Sequence, residues 1–545
     1  MELNLRDEMI LSEAITLDDE TLRNNKHINS QSNITKAVIV AAGNGSRLNG
    51  YQKNLPKPLV TVGGIPLLKR VILSAKKTGV TEFFVVIGYQ AEKIKASISE
   101  EELGVKINWI YNHEWKRQNG VSALKAEEFV DDKFFLFMSD HVFDVNILKR
   151  IQKHELNGDS GVLCVDYDTD RVHDLEDATK VHTKNDRLIN LSKELTAFNA
   201  IDIGIFVCTP HLFNALRESQ AEGDESLSGG IRVLAREGKM STFDIGDAFW
   251  QDVDTVSDIK YAEKLLLHST RSKNDGIIAK TINRRISNRI SKWLLKMSIT
   301  PNQISFFNLF FSIFTAWILS AGKPLNTIIG GILFQLSSII DGCDGEVAVI
   351  KHKDSKRGAM IDTITDQLSY IAFIIGVTIG TYRATQNELV FAITGGLILF
   401  LLFALKFGLQ YIKKQDSGSL KDLNKAMASF NKKPGQVWYL KLISFLTPIG
   451  RRDMFSFLTF LIMLGGNIAV YYWLMTSSLL VMCIGILVSA LYMLYKPGGF
   501  HPLRAIKRYA YLVWDSLTEP GISEMELQPE KEMNSEPAKP ERHKL

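Results

Sequence analysis

Four aspartates stand inside long apolar runs in the C-terminal half of this 545-residue chain: Asp341, Asp344, Asp362 and Asp366. The first two are three residues apart and the last two are four apart. On helices, those spacings put each pair on one face. An acid inside an apolar helix is expensive and marks a site. Four converging carboxylates repel one another unless a cation sits among them, and hard divalent cations prefer carboxylate oxygens. A second group of chemistry-bearing residues lies in the N-terminal half. The run K-A-V-I-V-A-A-G-N-G-S-R-L starts at Lys36 and carries Ala42, Gly43, Gly45 and Arg47. Glycines there let the backbone close on a phosphate and aim N–H groups at it. Arg47, and Lys57 in L-P-K-P-L, add positive charge for the same phosphates. The strand-linked G-x-G-x-x-G of dinucleotide binding is missing.

These residues need elements to hold them. Apolar runs at 37–42, 83–89, 106–112 and 134–139 read as strands of a parallel sheet, with helical patterns between them. The expected fold is an α/β doubly wound, Rossmann-like domain. Ligands on such sheets sit beyond the carboxyl ends of the strands, and Asp140 follows F-F-L-F-M-S at one such end. In the second half, six segments are long and apolar enough to span a membrane, at about 303–321, 325–349, 358–382, 389–411, 454–474 and 477–496. They predict an all-α membrane domain of six transmembrane helices. Basic residues gather at 351–357, 413–452 and beyond Lys496. The positive-inside rule then places both termini, and the four-aspartate site, on the cytoplasmic face of a multi-pass cell (inner) membrane protein. Ile278, Ile282, Ile286, Ile290 and Leu294 recur every four residues among Arg284, Arg285, Arg289, Lys292 and Lys296. That pattern predicts an amphipathic helix suited to an anionic membrane surface.

Composition sets the outer bounds. The length exceeds one compact domain, and the net charge of +4 does not call for a nucleic-acid partner. Cys164, Cys208, Cys343 and Cys483 have neither disulfide nor metal-ligand spacing and read as reduced. The polar start, 1–35, has no apolar core of the signal type and reads as a flexible tail. The expected divisions are 36–270 for the nucleotide domain, 271–300 for a hinge and juxtamembrane helix, 301–510 for the membrane domain, and 511–545 for a disordered tail.

Two families are resembled. D-G-C-D-G-E-V-A followed by G-A-M-I-D-T-I-T-D is similar to the CDP-alcohol phosphotransferase signature, through Asp341, Asp344, Gly345, Ala348, Gly358, Asp362 and Asp366. Val349 stands where that signature has Arg. The resemblance implies metal ligation by the four aspartates, room for a CDP backbone at Gly345, Ala348 and Gly358, and Asp366 as general base for an acceptor hydroxyl. A-A-G-N-G-S-R-L with P-K-P resembles the sugar-phosphate nucleotidylyltransferases. That implies Asp140 and Asp254 as metal ligands, Asn119 and Ser122 at the nucleotide, and Lys193 and Asp202 at the sugar or polyol phosphate. Arg452, in Arg452-Asp453 at the opening of the fifth span, is either an acceptor-binding residue or an interface residue.

The fusion resembles the bifunctional inositol-1-phosphate cytidylyltransferase / di-inositol-phosphate-phosphate synthase family. It implies CTP and a polyol phosphate as first substrates, then a CDP-alcohol and an acceptor alcohol, with Mg²⁺ or Mn²⁺ as cofactor and a membrane homodimer as the assembly. Two alternatives stay open. One is the same chemistry with another polyol and a lipid acceptor, as in phospholipid biosynthesis. The other is a transporter with a regulatory nucleotide-binding domain, although internal repeats of the transporter kind are not evident.

Overall fold

The computed structural model describes residues 33–48, 52, 55–272, 275–399 and 452–478. Its N-terminal part contains thirteen strands: β1 Lys36–Ala41, β2 Thr61–Val62, β3 Ile65–Pro66, β4 Glu82–Ile87, β5 Lys106–Tyr111, β6 Phe134–Met138, β7 His141–Phe143, β8 Gly161–Asp166, β9 Lys180–Lys184, β10 Arg187–Ser192, β11 Ala200–Cys208, β12 Met240–Asp244 and β13 Trp250–Asp252. Nine of them form one sheet, in the order β5-β4-β1-β6-β11-β8-β12-β10-β9. Alternate residues of its strands feed two apolar layers. Ile39, Val85 and Phe135 point to one face, and Val38, Val40, Phe84 and Leu136 to the other. That is the period of two expected of strands buried on both sides.

The strands β5, β4, β1 and β6 are parallel, as expected. Beyond β6 the expectation of a parallel sheet fails, because β11 runs antiparallel to both β6 and β8. The cause is local. β9 and β10 are joined by Asn185-Asp186, both at positive φ, which closes a two-residue hairpin and reverses the chain without a crossover helix. Chain order reverses about β1: β4 and β5 extend to one side, β6 to the other. A crevice at such a switch point is where a doubly wound sheet binds ligands. The Gly43–Arg47 turn leaves the end of β1, and Asp140 follows β6, so both open onto it.

Among the described residues, three helices are long and apolar enough to cross a membrane: Pro301–Leu319, Pro324–Ile350 and Lys356–Thr385. The first starts in T-P-N-Q, where Thr300 and Gln303 cap each other's backbone N–H and Pro301 occupies the first turn. Their polarity is inverted relative to a soluble bundle. Asn308, Ser312 and Thr315 are buried, while Phe307, Phe310, Phe314 and Trp317 are exposed. Apolar side chains outward and small polar ones inward suit helices packing in lipid.

The remaining expected spans differ or fall elsewhere. The segment expected as one span at 454–474 is two helical stretches. The helix Arg452–Met463 ends at a turn where Gly466 has φ +71°. Asn467 then caps the next stretch through Ala469 N and Val470 N. A Gly-Gly-Asn sequence ends one helix and starts another, which outweighs continuous hydropathy. Of 389–411, only residues up to 399 are described, as an apolar helix Leu389–Leu399. Almost all of 477–496, the basic loop before Arg452, nearly all of the 1–35 tail and the whole of the 511–545 tail lie outside the described residues.

The juxtamembrane helix is also corrected. Ala279–Asn283 is π-helical and passes into an α-helix at Arg284–Leu294, so the four-residue register of isoleucines is not kept. Its buried side is Asn283, Ser287, Ser291 and Leu294, with Ser287 facing the Pro324–Ile350 helix near Gly342 and Cys343. Ile286 is exposed, on the same helix as Arg285, Arg289 and Lys292.

Candidate active sites

The first site gathers at the switch point. Lys57 lies just after the glycine turn, and its Nζ is 2.5 Å from Asp140 Oδ2 and 2.6 Å from Asp254 Oδ1. The two acids expected as metal ligands therefore flank one ammonium. Arg47 reaches Asp254 at 2.7 Å and Asp177 at 2.5 Å, and Lys193 reaches the other oxygen of Asp177 at 2.7 Å. A chain of alternating charge thus links the glycine turn, the end of β6, the β13 end and Lys193. Beside it, His141 donates Nδ1–H to Asp140 Oδ1 at 2.8 Å.

Burial and charge tune these groups in opposite directions. Burial is the largest influence on Lys57 and pulls it down, yet Asp140, Asp252 and Asp254 together hold it above the ordinary lysine range. Burial pushes Asp140 up, but Lys57 and His141 keep it below the usual carboxylate range. For Asp252 burial wins, reinforced by the Asp140 charge, and the carboxyl rises to about 7. His141 is pulled down by burial but raised more by Asp252 and Asp140, to about 9. Asp202, on β11, is pushed up to about 6 by burial, against the hydrogen bond it accepts from Gly204 N. Gly204 has φ +70°, and a Cβ there would meet the His141 ring at 2.5 Å. Glycine alone lets β11 pass that close to the imidazole.

A cavity of about 440 Å³ opens at this site, lined among others by Asn119, Asp140, Lys193, Asp202, Trp250 and Asp254. That is ample for a small organic phosphate. Among the expected nucleotide contacts, Asn119 lines the cavity, though its side-chain oxygen accepts from Leu227 N. Ser122 is buried and accepts a hydrogen bond from Asn112 Nδ2. Ala42 is buried at the strand end, and no neighbouring side chain or backbone comes within 4 Å of where a Cβ on Gly43 would sit, so that part of the turn is open. Gly45, at φ +58°, packs on Lys57.

The donor set fits a divalent cation. Asp140, His141 and Asp252 each offer one ligand atom, all within 4.8 Å of one another. Asp252 Oδ1 is buried without a hydrogen-bond partner among the described residues, the state of a carboxylate oxygen shaped for something other than protein. Of the expected pair, this group contains Asp140 and not Asp254. Asp254 is held by the two cations, and His141 and Asp252 complete the cluster.

The second site lies between the membrane helices. Asp341, Asp344 and Asp362 bring one oxygen each within 4.8 Å of one another, from two helices, as the i,i+3 spacing and the following turn require. Asp344 accepts from Ser305 Oγ and from Gly345 N, each at 2.6 Å. Asn308 Nδ2 approaches Asp341 Oδ1 at 3.5 Å. Asp366 lies outside that trio but beside Asp341, and Arg452 bridges the two, at 2.5 Å to Asp366 and 2.7 Å to Asp341. Arg452 and Asp453, read together from the sequence, part company: Asp453 accepts from Ala279 N in the juxtamembrane segment. Gly345 is exposed, a Cβ there would meet nothing within 4 Å outside its own helix backbone among the described residues, and Gly358 N is capped by Ser355 Oγ. Ala348 is partly buried and Val349 is 45% exposed, so Val349 makes no polar contact where the signature has Arg.

Sequence reasoning missed His141 and Asp177. His141 had a signal, since it follows Asp140 directly at a strand end. Asp177 had none: it sits in a loop whose D-A-T context is ordinary, and only the fold brings it to Arg47 and Lys193.

Comparison with known proteins agrees with this division. Residues 36–269 match the family model described as nucleotidyl transferase, and residues 298–484 match CDP-alcohol phosphatidyltransferase. A bifunctional IPC transferase and DIPP synthase of Archaeoglobus fulgidus is 31% identical over 391 residues, 72% of this chain and 74% of that one. The protein of the same name from Rubrobacter xylanophilus is 34% identical over 349 residues, 63% of this chain and 77% of that one. Among solved structures, the inositol-1-phosphate CTP transferase from T. maritima is 27% identical, with a TM-score of 0.39, covering 43% of this chain and 97% of that one. With a nucleotidyltransferase site and a CDP-alcohol phosphotransferase site in one polypeptide, this chain belongs to the bifunctional IPC transferase and DIPP synthase family.

Proposed function

We propose that the chain catalyses two consecutive reactions: CTP and inositol 1-phosphate give CDP-inositol and pyrophosphate, and inositol phosphate then passes from CDP-inositol to an acceptor hydroxyl with release of CMP. The observation that carries this reading is the presence of two carboxylate clusters, each paired with a basic side chain, Lys57 in the first and Arg452 in the second. One lies at a nucleotide-type glycine turn and the other between membrane helices.

In the first reaction a phosphate oxygen attacks the α-phosphorus of CTP in line. Such a step needs charge neutralisation and positioning more than a covalent nucleophile. Arg47 and Lys57 face the triphosphate from the glycine turn, and Lys193 and Asp202 hold the polyol phosphate in the cavity. In the second, Asp366 takes the proton of the acceptor hydroxyl, and Arg452 orients Asp366 and binds an anionic acceptor. Asp140 and Asp254, with His141 and Asp252 at hand, and Asp341, Asp344 and Asp362, with Asp366 alongside, would hold divalent cations of the Mg²⁺ type, which would supply neutralisation of the diphosphate charge. Gly345, Ala348 and Gly358 leave room for the CDP backbone. We place the chain in a membrane with the nucleotidyltransferase part on the side of the basic 351–357 connection. The contacts of that part with the connection support this, as do exposed Ile286 and Trp293 on a helix rich in arginine and lysine.

The test is to incubate the purified full chain with CTP, Mg²⁺ and a panel of polyol phosphates, reading pyrophosphate and then CMP. Pyrophosphate with inositol 1-phosphate, followed by CMP as CDP-inositol reacts with a soluble polyol or with the hydroxyls of inositol 1-phosphate itself, is the expected result. No pyrophosphate with any member of the panel would sink the reading. CMP release with a diacylglycerol but not with a soluble polyol acceptor would move the second step to phospholipid synthesis.

A further inference from the structure

The helix Leu67–Lys76 presents Leu67, Leu68, Val71, Ile72 and Ala75 to the interior, and Arg70 lies among them, 2% exposed. A buried arginine is costly unless its donors are met. Arg70 meets those of Nη1 and Nη2 on the two sides of a joint, while its Nε is buried without a hydrogen-bond partner among the described residues. Nη2 donates to Val62 O in its own domain at 2.6 Å, and Nη1 donates to Ile350 O at 2.9 Å. Ile350 ends the membrane helix that carries Asp341 and Asp344. The last carbonyls of a helix lack internal partners and carry partial negative charge, so a guanidinium there is a C-terminal cap. Burial pulls Arg70 down only to about 10, so it stays charged at neutral pH.

The neighbouring contacts act on the same short connection, 351–355, which joins that helix to the one carrying Asp362 and Asp366. Lys351 Nζ donates to Met297 O at 2.6 Å and Ile299 O at 3.1 Å. His352 Nε2 lies 3.5 Å from Arg70 Nη1. Asp354 pairs with Lys77 at 2.5 Å. The β2–β3 hairpin turns at Gly63-Gly64, both at positive φ, and a Cβ on Gly63 would meet Ile350 Cγ2 at 2.8 Å. One apolar cluster runs through the joint, taking Leu48, Val60, Val62 and Val253 from the first site's surroundings and Cys343, Val347 and Ile350 from the second's.

We propose that Arg70, a residue of the nucleotidyltransferase domain, is a positioning residue for phosphotransfer. It caps the Pro324–Ile350 helix and fixes the 351–355 connection, and so sets Asp341 and Asp344 against Asp362 and Asp366. The membrane site is thus completed by the soluble domain. This rests on the proposed second reaction for its activity readout, but not for its structural one.

The experiment uses the full chain with Arg70→Met and Arg70→Lys. In Arg70→Met, kcat for CMP release from supplied CDP-inositol should fall about ten- to a hundredfold, the loss expected for misplacement of about 1 Å. Pyrophosphate release, catalysed by the domain that contains Arg70, should stay within about twofold of wild type, which excludes general unfolding. Deuterium uptake in peptides covering 351–359 should quicken about tenfold or more. Arg70→Lys, which keeps one donor for Ile350 O, should recover part of each loss. Unchanged CMP release, unchanged exchange at 351–359, or pyrophosphate release falling in step with CMP release would each overturn the proposal. If wild type releases no CMP, the proposed reaction fails and the exchange arm still decides the role of Arg70.

Discussion

Replacing Lys57 with methionine removes one charge from the centre of three acids while nearly keeping the side chain's volume. Its ammonium is 2.5 Å from Asp140, 2.6 Å from Asp254 and 3.8 Å from Asp252, and the side chain is 11% exposed. Removing one partner from a buried pair costs about 3–5 kcal/mol of stability. The low end applies here, because Asp252, already pushed up to about 7, can take a proton when the ammonium is gone. A raised carboxyl keeps its added stability below its unfolded value and loses it as pH rises through the folded one. The variant should therefore be weaker above pH 7 than at pH 6 relative to wild type. On the rate, losing one pre-placed donor for a developing phosphate charge costs about 10²–10³ in kcat, or about 2.7–4 kcal/mol. The assay is pyrophosphate release from CTP and inositol 1-phosphate, with CMP release from supplied CDP-inositol as control in the same preparation. Pyrophosphate release within threefold of wild type would refute the placement of Lys57 at the reacting phosphates. Equal loss of both activities would show that the variant damages the whole chain.

Other substitutions separate the two sites. Asp366→Asn keeps the shape but removes the base, so CMP release should fall about 10²–10⁴-fold with pyrophosphate release unchanged; parallel loss would contradict separate sites. Burial, then the Arg70 and Lys77 charges, push His352 down to about 3. Below its ordinary value the unfolded chain binds a proton that the folded one refuses, so between pH 7 and pH 5 stability should drop by about 2 kcal/mol. His352→Asn should remove that part of the slope in a denaturation series; an identical slope would show that His352 does not titrate in this way.

How much could be read without the fold depended on how local the physics was. Apolar strand runs, a glycine turn with nearby Arg47 and Lys57, and acids at helical spacing are all short-range patterns, and the sheet's parallel half and the shared faces of Asp341 with Asp344 and of Asp362 with Asp366 follow from them. The antiparallel β11 was hidden because strand direction depends on the connections on either side of it. The split at Gly465-Gly466-Asn467 was masked by hydropathy, which sees composition over a whole window and not a single positive φ.

From the sequence alone came the kinds of groups present and their spacing along one helix or one turn, since backbone periodicity converts spacing directly into a shared face. Tertiary structure alone decided which distant charges meet. It set Asp177 between Arg47 and Lys193, Arg452 between Asp341 and Asp366, and Arg70 under the end of a membrane helix. Such pairings join residues far apart in the chain, and only packing of whole elements, with the burial it brings, determines which cation answers which acid or carbonyl.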